Sequence, residues 1–183
     1  MRFAEREVKL KDGRNCILRA VRPDDAREAI EYMKVVSGET PFLLRNVDEV
    51  RYTEEAEREL LQHRLEEKGS FMMLAEVDGV FAGNCGIKEK SGFRRCRHRC
   101  GFAIALKREY WHLGIGSAML SYALELAKGM GYEQVELEVV DGNDRAKALY
   151  ERFGFEVTGK QVRAMKYDDG SYRDEFIMIK IFE

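Results

Sequence analysis

Gly101-Phe102-Ala103-Ile104-Ala105-Leu106-Lys107-Arg108-Glu109-Tyr110-Trp111-His112-Leu113-Gly114-Ile115-Gly116 passes from an apolar run through a charged turn into two glycines flanking one apolar residue. Beyond it, Met119, Tyr122, Ala123 and Leu126 extend Ile115 into a stripe at helical spacing. The stretch therefore reads as strand, turn and helix. A helix entered in this way exposes backbone N–H groups in its first turn, and these groups, with the positive end of the helix, can hold a phosphate. A side chain at Gly114 or Gly116 would block close approach or the dihedral that the turn needs. The glycine spacing alone also fits tight packing of a helix on a sheet.

Two common phosphate loops do not match. The dinucleotide fingerprint requires a third glycine, and here Leu113 stands two positions before Ile115, leaving only Gly114 and Gly116 as a close pair. The loop of nucleotide hydrolases requires Gly-Lys-Ser or Gly-Lys-Thr, which does not follow. A phosphate-bearing cofactor survives these exclusions, whereas NAD and ATP become poor choices.

Working toward the N-terminus, a long strand is expected from about Arg94 to Leu106, with Cys96, His98, Cys100, Phe102 and Ile104 on one face. Before it, Phe71 to Val77 and Val80 to Lys88 read as strands joined at Asp78-Gly79. A helix is expected from near Thr53 to Lys68, with Thr53 as cap and Ala56, Leu60, Leu61 and Leu65 as its apolar stripe. An earlier helix follows Pro23, with Ala26, Ala29, Ile30 and Met33 inward, and ends at Ser37-Gly38-Glu39-Thr40-Pro41. Asn15 to Val21 is expected as the first strand. Between the two helices, Phe42, Leu43 and Leu44 can pack down or wall a substrate pocket.

Toward the C-terminus, Gly129 and Gly131 end the glycine-started helix, and Gln134 to Val139 is a strand. Asn143 caps a further helix in which Ala146, Leu149, Tyr150 and Phe153 recur at helical spacing. Two strands follow, Phe155 to about Met165 and Glu175 to Phe182, joined at Asp168-Asp169-Gly170. The expected fold class is α/β in the α+β sense: a mixed, mostly antiparallel central sheet flanked by helices, in one domain over residues 1–183.

The stretch from Gly101 to Gly116, together with Asn143-Asp144-Arg145-Ala146-Lys147-Ala148-Leu149-Tyr150-Glu151-Arg152-Phe153-Gly154-Phe155, resembles the core of the GCN5-related N-acetyltransferase (GNAT) superfamily. The order of elements agrees from roughly Asn15 to Phe182. The resemblance implies that acetyl-CoA is the cofactor, released as CoA after transfer, and that a primary amine attacks its thioester directly. It implies that Trp111, His112, Leu113, Gly114, Ile115, Gly116 and Ser117 form the pyrophosphate site. It further implies that Phe102, Ala103, Ile104 and Ala105 line the acyl-pantetheine arm through their backbone. The family motif commonly has arginine or glutamine where this chain has Trp111, so loop amides carry more of the phosphate recognition.

The same resemblance makes Tyr150 the general acid for the departing sulfur, against the alternative that it only anchors its helix. Asn143 and Lys147 are candidates for cofactor contact. For the general base, Glu138 lies near a strand end and His98 supplies an imidazole, the side-chain type whose reference pKa is nearest physiological pH, with water as a third route. Glu28, Glu31 and Glu39 are candidates for attracting a cationic acceptor. The acceptor classes include small amines and peptide N-termini, and the family also allows a homodimer. The competing reading is a regulatory module that binds acyl-CoA without transferring it.

Bulk composition agrees with these expectations. With 31 Lys and Arg against 33 Asp and Glu, the net charge of -2 offers no general attraction for nucleic acid. No run approaches the roughly 20 apolar residues of a membrane span, and the first residues do not read as a signal peptide, so a cytoplasmic protein is expected. Cys16, Cys85, Cys96 and Cys100 are too few and too irregular for a disulfide scaffold, and no ligand spacing calls for a metal.

Overall fold

The computed structural model describes residues 1–183, which form eight strands and four α-helices. They divide into two compact units, Met1–Lys88 with Ala103–Ala123, and Glu89–Phe102 with Leu124–Glu183. The pairings are antiparallel between β1 and β2, β2 and β3, β3 and β4, β6 and β8, and β7 and β8, with β5 and β6 parallel. This is the mixed, mostly antiparallel arrangement that the sequence implies.

In the first unit, β1 (Arg6–Lys9), β2 (Asn15–Ala20), β3 (Phe71–Val77) and β4 (Val80–Glu89) follow one another as neighbours. Asp78 and Gly79, at φ 53° and 77°, make the tight β3–β4 turn, a conformation that asparagine, aspartate and glycine tolerate best. β1 is absent from the sequence reading because its one apolar residue, Val8, gives no alternation to detect.

α1 (Ala26–Glu39) ends with Thr40 as its C-cap, within residues 37–41, the segment expected to stop it. Its buried face is Ala26, Ala29, Ile30, Tyr32 and Val36, with Met33 only half-buried. Tyr32 stacks on Phe81 at 4.3 Å between ring centroids and joins Leu61 and Leu74 in the core. α2 (Glu54–Glu66) starts at Thr53, whose hydroxyl accepts from the Ala56 N–H at 3.2 Å. Half of its expected stripe is inward: Leu61 is buried and Leu65 half-buried, whereas Ala56 and Leu60 are exposed and Glu57 is buried instead.

The second unit contains β6 (Gln134–Val140), α4 (Asp144–Arg152), β7 (Glu156–Lys166) and β8 (Tyr172–Ile181). β5 (Arg99–Leu106) begins here and ends in the first unit, whereas α3 (Ile115–Gly129) runs the other way. A parallel pair cannot be closed by a tight turn, and α3 supplies the crossover between β5 and β6. Val135, Leu137 and Val139 alternate inward on β6, and Glu138 outward. No helix of the protein is long and apolar enough to cross a membrane.

The long strand expected from Arg94 is shorter. Residues 94–98 form a turn, with the Cys96 and Arg97 N–H groups both donating to the Phe93 carbonyl. Five of the seven residues from Phe93 to Arg99 are basic, and a turn lets them diverge where a strand would align Arg95, Arg97 and Arg99 on one face. Cys96 and His98 therefore leave the strand face assigned to them.

Candidate active site

The segment that decides the fold lies in the first unit from Ala103 onward. After β5, a short 3-10 turn at Arg108–Tyr110 leads to Trp111, whose indole Nε1 donates to the Leu106 carbonyl at 2.9 Å. Tryptophan here closes the turn that leads to the glycines. The Arg108 N–H donates to a Glu39 carboxylate oxygen at 2.7 Å, so Glu39 anchors this turn to the end of α1. The Lys11 N–H donates to the Leu113 carbonyl at 3.2 Å and fixes the loop from its other side.

His112 and Gly114 have φ 65° and 96°. For His112 that conformation costs on the order of 1 kcal/mol, a local strain of the kind that collects at binding loops. At Gly114 an added Cβ would meet no atom within 4 Å, so glycine is required by the dihedral, and the space beside it is open. The Gly114 carbonyl accepts from the Ala118 N–H at 3.1 Å, the first bond of α3. The N–H groups of Ile115, Gly116 and Ser117 consequently have no acceptor within the protein. Three bare amides, a helix of 15 residues behind them and open space in front fit the pyrophosphate of a cofactor.

Ala103 is exposed, and Ile104 and Ala105 are half-buried. The Ala105 carbonyl accepts from the buried Tyr32 hydroxyl at 2.8 Å, and the same phenol oxygen accepts from the Asn84 N–H at 3.3 Å. One hydroxyl thereby ties β4 to β5. Sequence reading missed Tyr32, which carried no signal beyond its apolar spacing. Gly83 belongs to the same contact, because a Cβ there would lie 2.7 Å from the Ala105 oxygen.

In the second unit, the parallel ladder matches Arg99–Gly101 with Gln134–Glu136. Phe102, the next residue of β5, is buried and meets the Tyr150 ring edge-on at 6.3 Å. Tyr150 is 6% exposed and also packs against Phe155 at 5.9 Å. Its ring is therefore a packing anchor between Phe102 and Phe155. Asn143 caps α4, its side-chain oxygen accepting from the Ala146 N–H at 3.4 Å. Lys147 is paired with Glu151 at 2.5 Å, one turn along the same helix.

The two base candidates sit in different settings. Glu138 is half-exposed on β6 and pairs with Lys90 at 3.3 Å. His98 lies in the turn before β5, where its carbonyl accepts from the Glu133 and Gln134 N–H groups at 2.9 and 3.2 Å. Glu136, between them in register, is held below the usual carboxylate range mainly by its bidentate hydrogen bonds with Arg99. It is a structural carboxylate, ionised and fully engaged.

Burial raises the thiol pKa of Cys16 to about 11 and of Cys100 to about 12, and drives that of Cys85 still higher. Buried protonated thiols are poor nucleophiles, so these three cysteines offer no covalent route for an acyl group. No group of three or more His, Cys, Asp or Glu is placed to hold a metal ion. Of the acids suggested for acceptor attraction, Glu28 and Glu31 are exposed, Glu31 is paired with Lys34, and Glu39 serves Arg108.

The pattern of the acetyltransferase (GNAT) family matches residues 39–155, which include the glycine turn and α4. Among curated proteins, an L-amino acid N-acetyltransferase of Escherichia coli (strain K12) is 28% identical over 124 residues, covering 66% of this chain and 74% of the relative. Among solved structures, a GNAT-family acetyltransferase from Streptococcus pneumoniae superposes with a TM-score of 0.85 at 29% identity, covering 91% of this chain and 99% of that one. A phosphinothricin acetyltransferase from Sinorhizobium meliloti, solved in complex with acetyl-CoA, shares the fold at a TM-score of 0.76 and 21% identity, covering 96% and 89%.

Proposed function

Because the chain belongs to the acetyltransferase (GNAT) family, and so is an acetyl-CoA-dependent N-acetyltransferase, we propose a division of labour among its residues. Acetyl-CoA supplies an activated acetyl group, which a neutral primary amine attacks directly. The bare amides of Ile115, Gly116 and Ser117 receive the pyrophosphate, and this is the observation that carries the reading. Trp111, His112, Leu113 and Gly114 shape the turn that presents them, while Phe102, Ala103, Ile104 and Ala105 offer backbone groups to the acyl arm.

Tyr150 donates its phenolic proton toward the leaving sulfur, and the aromatic contacts to Phe102 and Phe155 hold its ring in place for that. The amide nitrogen of Asn143, left over from capping, donates to the pantetheine arm. Lys147 already pairs with Glu151, and its part is the smallest. Glu138 is the preferred base, acting through water, since its half-exposed carboxylate can pass a proton to solvent; His98, held in a turn by its backbone, is second. Positioning of both reactants supplies much of the remaining acceleration.

The acceptor is a primary amine, either of a small molecule or of a peptide N-terminus, met in the cytoplasm by a single N-acetyltransferase domain. A screen of chemically diverse amines with acetyl-CoA, following free CoA and acetylated product by mass spectrometry, tests the reading. At least one amine should be acetylated. Saturable acetyl-CoA binding with no product across the panel would instead support an acyl-CoA-binding regulatory module.

A further inference from the structure

The first turn of α2 contains three acids, and they differ sharply in environment. Glu54 and Glu55 are exposed, as expected of residues that complement a helix dipole from its surface. Glu57 is 3% exposed. Its carboxylate makes no hydrogen bond and no ion pair, yet no sealed side-chain oxygen in the protein lacks a partner. The carboxyl oxygens of Glu57 are therefore not completely sealed from solvent. Burial raises its pKa, and the nearby charge of Arg45 opposes that rise without contact. Arg45 instead lies over the Tyr52 ring at 5.8 Å.

A carboxylate with so little surface and no partner within the protein is poorly solvated, and a cationic ligand group at its oxygens would complete it. Leu61, four residues along the same helix face, packs in the core cluster with Tyr32, against which Leu43 and Ala105 also rest. Ala105 is part of the strand assigned above to the acyl arm, and Leu43 belongs to the connection between α1 and α2. Glu57 is thus one helical turn from a cluster that reaches the reaction strand.

We propose that Glu57 is a specificity-determining residue that receives a cationic group of the acceptor, so that preferred acceptors carry a second positive charge besides the amine that reacts. The attacking nitrogen must be neutral, so the cation held by Glu57 is a different group of the same molecule. A charge-assisted hydrogen bond in a desolvated setting gives this preference its strength. The other acids near α1 cannot serve, being exposed, paired with Lys34 or bound to Arg108.

The proposal rests on the acetyltransferase reading, and binding to the CoA-loaded protein tests it without requiring turnover. Calorimetry would compare putrescine with 4-amino-1-butanol, which replaces one ammonium by a hydroxyl. The wild type should bind putrescine about tenfold more tightly or better, and Glu57→Gln should abolish that difference. Glu57→Asp should keep the preference at lower affinity, which covers the case of a poorly folded glutamine variant. A structural role would make Glu57→Gln less stable, whereas a ligand-binding role leaves its Tm unchanged or raised. Absent putrescine binding, equal binding of the two probes by the wild type, or undiminished discrimination in Glu57→Gln would overturn the proposal. Putrescine binding without acetylated product would count against the catalytic reading alone.

Discussion

The helices α3 and α4 both begin just after a strand and a turn, but their first turns are completed in different ways. At α4, Asn143 turns its side chain back onto the Ala146 N–H and satisfies part of the helix start from within. At α3, the equivalent place is held by Gly114, which has no side chain to offer, and three amides stay bare. A helix start can be finished by its own side-chain cap, as at α2 and α4, or keep bare amides, as at α3. The contrast separates a residue that supports structure from a turn whose bare amides are proposed to receive phosphate.

The largest effect is expected where support and chemistry meet on α4. Tyr150→Phe keeps the ring contacts and removes the hydroxyl, so kcat should fall about 100-fold or more while acetyl-CoA affinity changes little. Steady-state kinetics on an acceptor found by the amine screen would measure this. Full turnover would return Tyr150 to a packing role and leave α4 purely structural. Asn143→Ala should lower stability by about 1 kcal/mol through the lost cap, read by denaturant unfolding, and weaken acetyl-CoA only a few-fold. A variant as stable as the wild type would blur the distinction between the two helix starts.

A smaller effect sharpens the second unit's own frame. Glu136 has its pKa lowered from the ordinary 4.5 by Arg99, so its contribution to stability is present above that value and is lost as pH falls through the lower, folded-state value. Glu136→Gln should therefore be less stable than the wild type at pH 7, with the gap closing toward pH 3 in unfolding titrations. A gap that is constant with pH would remove ionisation from the explanation.

The same contrast explains what could be read in the sequence. The glycine turn and the Asn143 cap were legible because φ above zero and capping oxygens each demand few residue types. Strands β3, β4 and β6 were legible from their apolar runs and from the Asp78-Gly79 turn. The face of α2 was not: periodicity counts Leu60 as inward and Glu57 as outward, and packing against α1 reverses both. His98 was misplaced because an Arg-rich segment carries strand-like alternation until local turn hydrogen bonds intervene. Tyr32 gave no warning, since a buried tyrosine and a tyrosine that bridges two strands have the same spacing.

The central claim is that the start of α3 is a phosphate site left open by Gly114. Calorimetric titration of Gly114→Asp with acetyl-CoA tests it most directly, because the substitution places a strained residue and a negative charge in the space the pyrophosphate would occupy. A fall in affinity of about 100-fold in a folded variant is the predicted result, equivalent to roughly 3 kcal/mol. A folded Gly114→Asp that binds acetyl-CoA as tightly as the wild type would contradict the account.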